Sequence, residues 1–188
     1  MSRWSVFCMD EKHPGLWRSW LQERAVAVGW FSGWGYLLEG GLTTRPGWNY
    51  SRANLKKVKV GHLVVAHLRH KRVGRIGEVI GLKFSDEDWN PLVPECLEEP
   101  EGEQGRRILV RWLPEGPTDP GMVVQLPKAV RLPGQNAVEA LYSEDFDAIR
   151  KAVQDPTNWI PFATELVVSA EEVPVEQQLT ETGFQFRD

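Results

Sequence analysis

The spacing of apolar positions changes several times along this chain, and each change predicts an element. WSVFC at residues 4–8 alternates as a strand does, and LWRSWLQER at 16–24 puts Leu16, Trp17, Trp20 and Leu21 on one helical face. AVAVG at 25–29 is a continuous apolar run ending on glycine, which predicts a short buried strand. Periodicity then stops for about twenty residues, where Gly33, Gly35, Gly40, Gly41, Pro46 and Gly47 break any regular element and predict a loop. SRANLKKV at 51–58 predicts a short helix. VGHLVVAHL at 60–68 and RVGRIGEVIGL at 72–82 predict two strands joined by a tight turn at 69–72. Period two places Gly77 and Gly81 on one face of the second strand, a face with little bulk.

Further on, RRILVRWL at 106–113 and MVVQL at 122–126 read as strands, and SEDFDAIRKAVQ at 143–154 as a helix. Ser143 is placed to cap that helix, Glu144 and Asp145 suit its positive end, and Phe146, Ile149 and Val153 form its apolar stripe. A weak strand, ELVVS, and an acidic, glutamine-rich tail follow Pro161. Strands dominate the centre with helices towards both ends, so the expected class is α+β with a small curved or closed sheet. Residues 1–160 are expected to form the domain and 161–188 an acidic extension.

Composition leaves this picture intact. The chain has 188 residues, 41% hydrophobic and 26% charged, as in an ordinary soluble domain with a real core. No apolar run approaches the length of a membrane span, and MSRWSVFCMDEK lacks the apolar stretch of a secretory signal. Two cysteines, Cys8 and Cys96, predict neither a zinc ribbon nor a disulfide framework. The expected setting is the cytoplasm.

Charge changes the picture more. The net charge is −4, yet the signs are segregated. Between Asn49 and Lys83 there are nine lysines and arginines against one acid, Glu78, whereas residues 85–104 hold eight carboxylates and no base. A basic surface on an acidic body focuses positive potential locally, and the acidic stretch is expected to lie off that surface. The bland alternative is two solvated faces without a partner.

Candidate chemistry follows the same segment. There is no GxxxxGK[ST] loop, GxSxG elbow or HExxH helix, so no catalytic, metal or cofactor residue is nominated. Alternation sets His62 and His70 apart from His67, against a metal cluster. Nine tryptophans are many for this length. Trp4, Trp17, Trp20, Trp112 and Trp159 sit in periodic segments and are expected in the core. Trp30, Trp34 and Trp48 sit in the glycine-rich run, where base stacking, pocket lining and local packing all remain open. Trp89, in the acidic stretch, is a weaker candidate.

WNYSRANLKKVKVGHLVVAHLRHKRVGRIGEVIGL resembles the core of the EVE domains of the PUA-like superfamily, whose pattern is W…N…AR..L…KVGD followed by a strand ending in G.GEV.G. VAVGWFSGWGYL resembles the opening of the EVE-type modified-DNA-binding domains of McrB-like restriction systems. ILVRWL is similar to their later V.W strand, and LYSEDFDAIRKAV to their closing helix. One departure is His62, where these families carry Asp. The resemblance implies a PUA-like β-barrel with flanking helices that flips a modified base into an aromatic pocket.

Carried over by position, the resemblance implies a base pocket at Trp30, Trp34, Trp48, Asn49, Tyr50 and Ser51. It implies backbone contacts from Arg52, Asn54, Lys56, Arg69, His70, Lys71, Arg72 and Arg75. The implied role is that of a non-enzymatic reader of methylated or hydroxymethylated cytosine, or of N6-methyladenine, in DNA. It would work without cofactor or membrane, beside a separate ATPase or nuclease subunit. The alternatives are a PUA-like domain for modified RNA and an ASCH-type hydrolase.

Overall fold

The computed structural model describes residues 1–11, 14–28, 46–83, 106–133 and 136–162. The order is β1 (Arg3–Phe7), α1 (Leu16–Glu23), β2 (Ala25–Val28), α2 (Pro46–Leu55), β3 (Leu63–Leu68), β4 (Arg72–Lys83), β5 (Arg106–Trp112), β6 (Met122–Gln125), β7 (Val138–Ala140), α3 (Ser143–Gln154), a 3₁₀ turn (Pro156–Asn158) and β8 (Trp159–Pro161). The protein is α+β, with its strands in one curled, half-barrel sheet.

Local chemistry accounts for the helices. Gly15, with φ of 90°, turns the chain into α1, and Asp10 Oδ1 accepts a hydrogen bond from the Trp17 amide at 2.7 Å. That bond satisfies one of the amides a helix start leaves orphaned. Helix α3 has the bounds its pattern predicts, with Phe146, Ile149 and Val153 buried. Its cap differs: extended Tyr142 holds the cap position, and Ser143 Oγ accepts from Arg3 Nη1 at 2.8 Å. Helix α2 begins five residues before the predicted helix, because Pro46 stands first, where a missing amide and a fixed φ do no harm.

Strand order in the sheet is β2-β5-β4-β3-β1-β7, with β6 joined to β4 and β8 joined to β6. Strand β1 runs parallel to β3, matching Phe7 with His67, while β3 and β4 form an antiparallel hairpin. The outer edge of β4 serves two partners: Arg72 and Val73 pair with β6, and Gly77 to Lys83 pair with β5. The fork between these partners falls at Gly74, Arg75 and Ile76. Arg75 fills it, donating to the carbonyls of Gly74 at 2.9 Å and Asp119 at 3.0 Å, with Met122 O at 3.4 Å. A side chain at Gly74 would put its Cβ 2.3 Å from the Trp17 ring, so glycine here seats the indole.

Each face of the sheet has its own core. Val6, Val64, Ala66, Val79, Ile108 and Val110 pack with Trp17 and Trp20 of α1 and Leu55 of α2. Val65, Val73, Ile76 and Val124 pack with Phe146, Ile149 and Val153 of α3. A bulge at Ile80 corrects the expectation for the two glycines. Gly77 faces Trp112 and Val110, but Gly81 faces Leu109, and adjacent residues of β5 point to opposite faces. The extra residue reverses the alternation.

Candidate nucleic-acid interface

The β3–β4 turn is built under strain. The Arg72 amide donates to Arg69 O at 3.3 Å, and the two central residues, His70 and Lys71, have φ of 60° and 57°. Such a mirror-type turn matches the twist of the strands and usually takes Asn-Gly. A residue with a Cβ costs about 1–2 kcal/mol in that conformation. Neighbours hold it in place. Gln125 Nε2 donates to His70 O at 2.9 Å, the Leu126 amide to Lys71 O at 3.0 Å, and Lys71 Nζ to Lys128 O at 2.9 Å. Arg69 and His70 are thereby displayed with side chains 55% and 61% exposed.

A carboxylate from the turn after β1 reaches this tip. Glu11 Oε2 lies 2.6 Å from Arg69 Nη1, and Glu11 Oε1 lies 3.3 Å from His70 Nε2 and 3.9 Å from Arg72 Nη2. Arg72 is itself buried; its Nε donates to Arg69 O at 2.9 Å and its guanidinium stands over Phe162. Arg75 is also buried and spent on backbone carbonyls, and desolvation pushes its pKa down against the pull of Asp119. Of Arg69, Lys71, Arg72 and Arg75, Arg69 is thus the one whose side chain is more than half exposed, while Lys71 is half-buried with its ammonium on Lys128 O.

The residues implied for the pocket divide similarly. Ser51 is fully buried and its Oγ accepts from the Ala137 amide at 3.1 Å; Asn54 is buried and its Nδ2 donates to Val138 O at 3.0 Å. The bonds fasten α2 to the start of β7 and to the residue before it, so these polar groups face the interior. Tyr50 is half exposed and Lys56 exposed. Trp48, Asn49 and Arg52 are on α2. Their side chains lie outside the described residues, as do Trp30, Trp34, Trp89 and the acidic stretch 85–104.

Cations that look continuous in sequence are spatially divided. Arg69 to Arg72 occupy one end of the hairpin; Lys59, Val60, Ile80, Leu82 and Lys83 are exposed at the other. Six residues of β3 separate the ends by roughly 20 Å. At that second end Val28 pairs with Arg106 and Lys83 with Arg107, so the chain leaves for residues 29–45 and 84–105 from β2 and β4, the two strands that flank β5.

The histidines are separated as the alternation requires. His62 Nδ1 accepts from Trp4 Nε1 at 3.0 Å and from the Lys59 amide at 3.2 Å. Its pKa is lowered by burial, then by the charges of Lys59 and the N-terminus. At the position where the resembled families carry Asp, this ring nitrogen is an acceptor. His67 is buried against Phe7, and desolvation brings its pKa to about 4. Among the described residues no three His, Cys, Asp or Glu side chains gather as metal ligands, and no helix is long and apolar enough to cross a membrane.

Sequence reasoning passed over Glu11 and Lys128. Glu11 reaches the tip because β1 and β3 run in parallel, which carries the residues after Phe7 alongside those after His67. Nothing near Glu11 in sequence signals that pairing. Lys128 follows β6, whose own pairing with Arg72 brings it to the turn.

No protein-family model matches the chain, and no curated protein matches it in sequence.

Proposed function

We propose that this chain is a nucleic-acid-binding module of the PUA-like, EVE type, reading a modified base in DNA. The observation that carries the reading is the braced, strained turn that displays Arg69 and His70 with Lys71 beside them. Backbone strain persists only where its surroundings enforce it, and it concentrates at functional sites. Exposed cations on a rigid ribbon are suited to a phosphate backbone. The curled half-barrel is compatible with a PUA-like barrel, and α2 continues directly from the aromatic run 29–45.

In this reading Arg69 and Lys71 take phosphates, with Lys56 as a further contact. Trp30, Trp34, Trp48, Asn49 and Tyr50 form the base pocket. Ser51, Asn54 and Arg75 hold the framework. The chain performs no bond-breaking step; a separate ATPase or nuclease would act on what it reads. The test is a fluorescence-anisotropy panel of matched duplexes, unmodified or carrying methylcytosine, hydroxymethylcytosine or N6-methyladenine, with the same sequences as RNA. One modified duplex is expected to bind more tightly than its unmodified match. Equal affinity for all duplexes, or preference for the RNA, overturns the reading.

A further inference from the structure

We propose that Glu11 is a built-in competitor for the phosphate backbone, occupying a phosphodiester seat made by Arg69, His70 and Arg72. This rests on the reading of the tip as a nucleic-acid contact and adds its regulation. The seat is prearranged: Arg72 is fixed by Arg69 O and Phe162, and the backbone of the turn is fixed by Gln125 and Leu126. Three nitrogen donors converge on one carboxylate, and Arg69 and His70 remain more than half exposed around it. A phosphodiester carries the same single charge on two free oxygens, so it fits a seat where Arg69 grips one carboxylate oxygen and His70 and Arg72 flank the other.

Glu11 fills the seat incompletely. Its Oε1 is buried without a hydrogen bond, facing His70 Nε2 at 3.3 Å and Arg72 Nη2 at 3.9 Å. A buried acceptor left unmade is a cost to the resident state, so exchange for a better-fitting anion is favoured. The neighbouring residue is anchored, since Asp10 Oδ1 holds the Trp17 amide at 2.7 Å. The Glu11 side chain can therefore leave without disturbing α1. While it stays, its negative charge stands where a phosphate would bind, which weakens every duplex alike.

The test compares wild type with Glu11→Gln on a short unmodified duplex across a salt series. Glutamine keeps the shape and an acceptor oxygen but loses the charge. The variant is expected to bind about 5- to 1,000-fold more tightly, the span for unit charges about 4 Å apart at effective dielectrics between bulk water and a protein surface. Its plot of log K against log salt is expected to steepen by roughly 0.9, the slope of one additional neutralised phosphate. Arg69→Gln should then cost more affinity in the Glu11→Gln background than in wild type.

A second readout needs no change at Glu11. In the wild type, the side-chain nitrogen resonances of Arg69 and His70 should shift as duplex is added. If wild type binds duplex while Glu11→Gln shows unchanged or weaker affinity and slope, or those resonances stay fixed, the competitor role is overturned and the nucleic-acid reading stands. If neither protein binds any duplex, both fall.

Discussion

His67 links one buried side chain to the stability of the whole sheet. It sits on β3 against Phe7, and its pKa is brought to about 4 from an ordinary 6.5 because burial disfavours the charged ring. Between those values the unfolded chain binds a proton that the folded one refuses. Stability is therefore complete above about pH 6.5 and falls as pH drops towards about 4. The shift corresponds to roughly 3 kcal/mol at its limit. Urea titrations at several pH values should show this decline, and His67→Phe should remove most of it. An unchanged slope in the variant assigns the effect to other groups. Residue identities such as Trp4, Trp17 and Trp20 in the core were legible from period alone. The roles of Ser51, Asn54 and Arg75 were not, because hydrogen bonds to Ala137, Val138 and Asp119 join positions 44 to 86 residues apart.

At the level of elements, the long periodic segments were the readable ones: α1, α3 and the β3–β4 hairpin lie where the pattern puts them. The three-residue strands β7 and β8 carry too few positions to show a period, and each exists because a partner edge is available. The bulge at Ile80 escaped for a related reason, since an extra residue is defined only against the strand opposite. The turn gives a sharp prediction. Replacing His70 and Lys71 together by Asn and Gly should relieve the left-handed strain and raise stability by roughly 1–2 kcal/mol. The same change should weaken duplex binding and flatten the salt dependence by roughly one unit. Denaturant melts and anisotropy on one preparation measure both. A variant that gains stability without losing affinity would show that the tip does not touch the duplex.

The whole molecule brings together what the sequence keeps apart. Parallel pairing of β1 with β3 delivers Glu11 to the tip, and the shared edge of β4 delivers Lys128, while the hairpin's length moves Lys59 and Lys83 to the far end. The charge segregation was visible in composition, but its division between two ends needed the fold. The aromatic run 29–45 joins β2 to α2, two elements that contribute to the same core. In the proposed function Trp30 and Trp48 wall a pocket for a modified base. The most direct measurement is the affinity ratio between a modified duplex and its unmodified match, taken in wild type, Trp30→Ala and Trp48→Ala, with melting temperatures alongside. Stacking on an aromatic ring is worth about 1–3 kcal/mol, or roughly 5- to 150-fold in affinity. Each folded variant is expected to lose that factor for the modified duplex and to keep its affinity for the unmodified one. Equal loss for both duplexes in a folded variant, or early unfolding of both variants, would rule the pocket out.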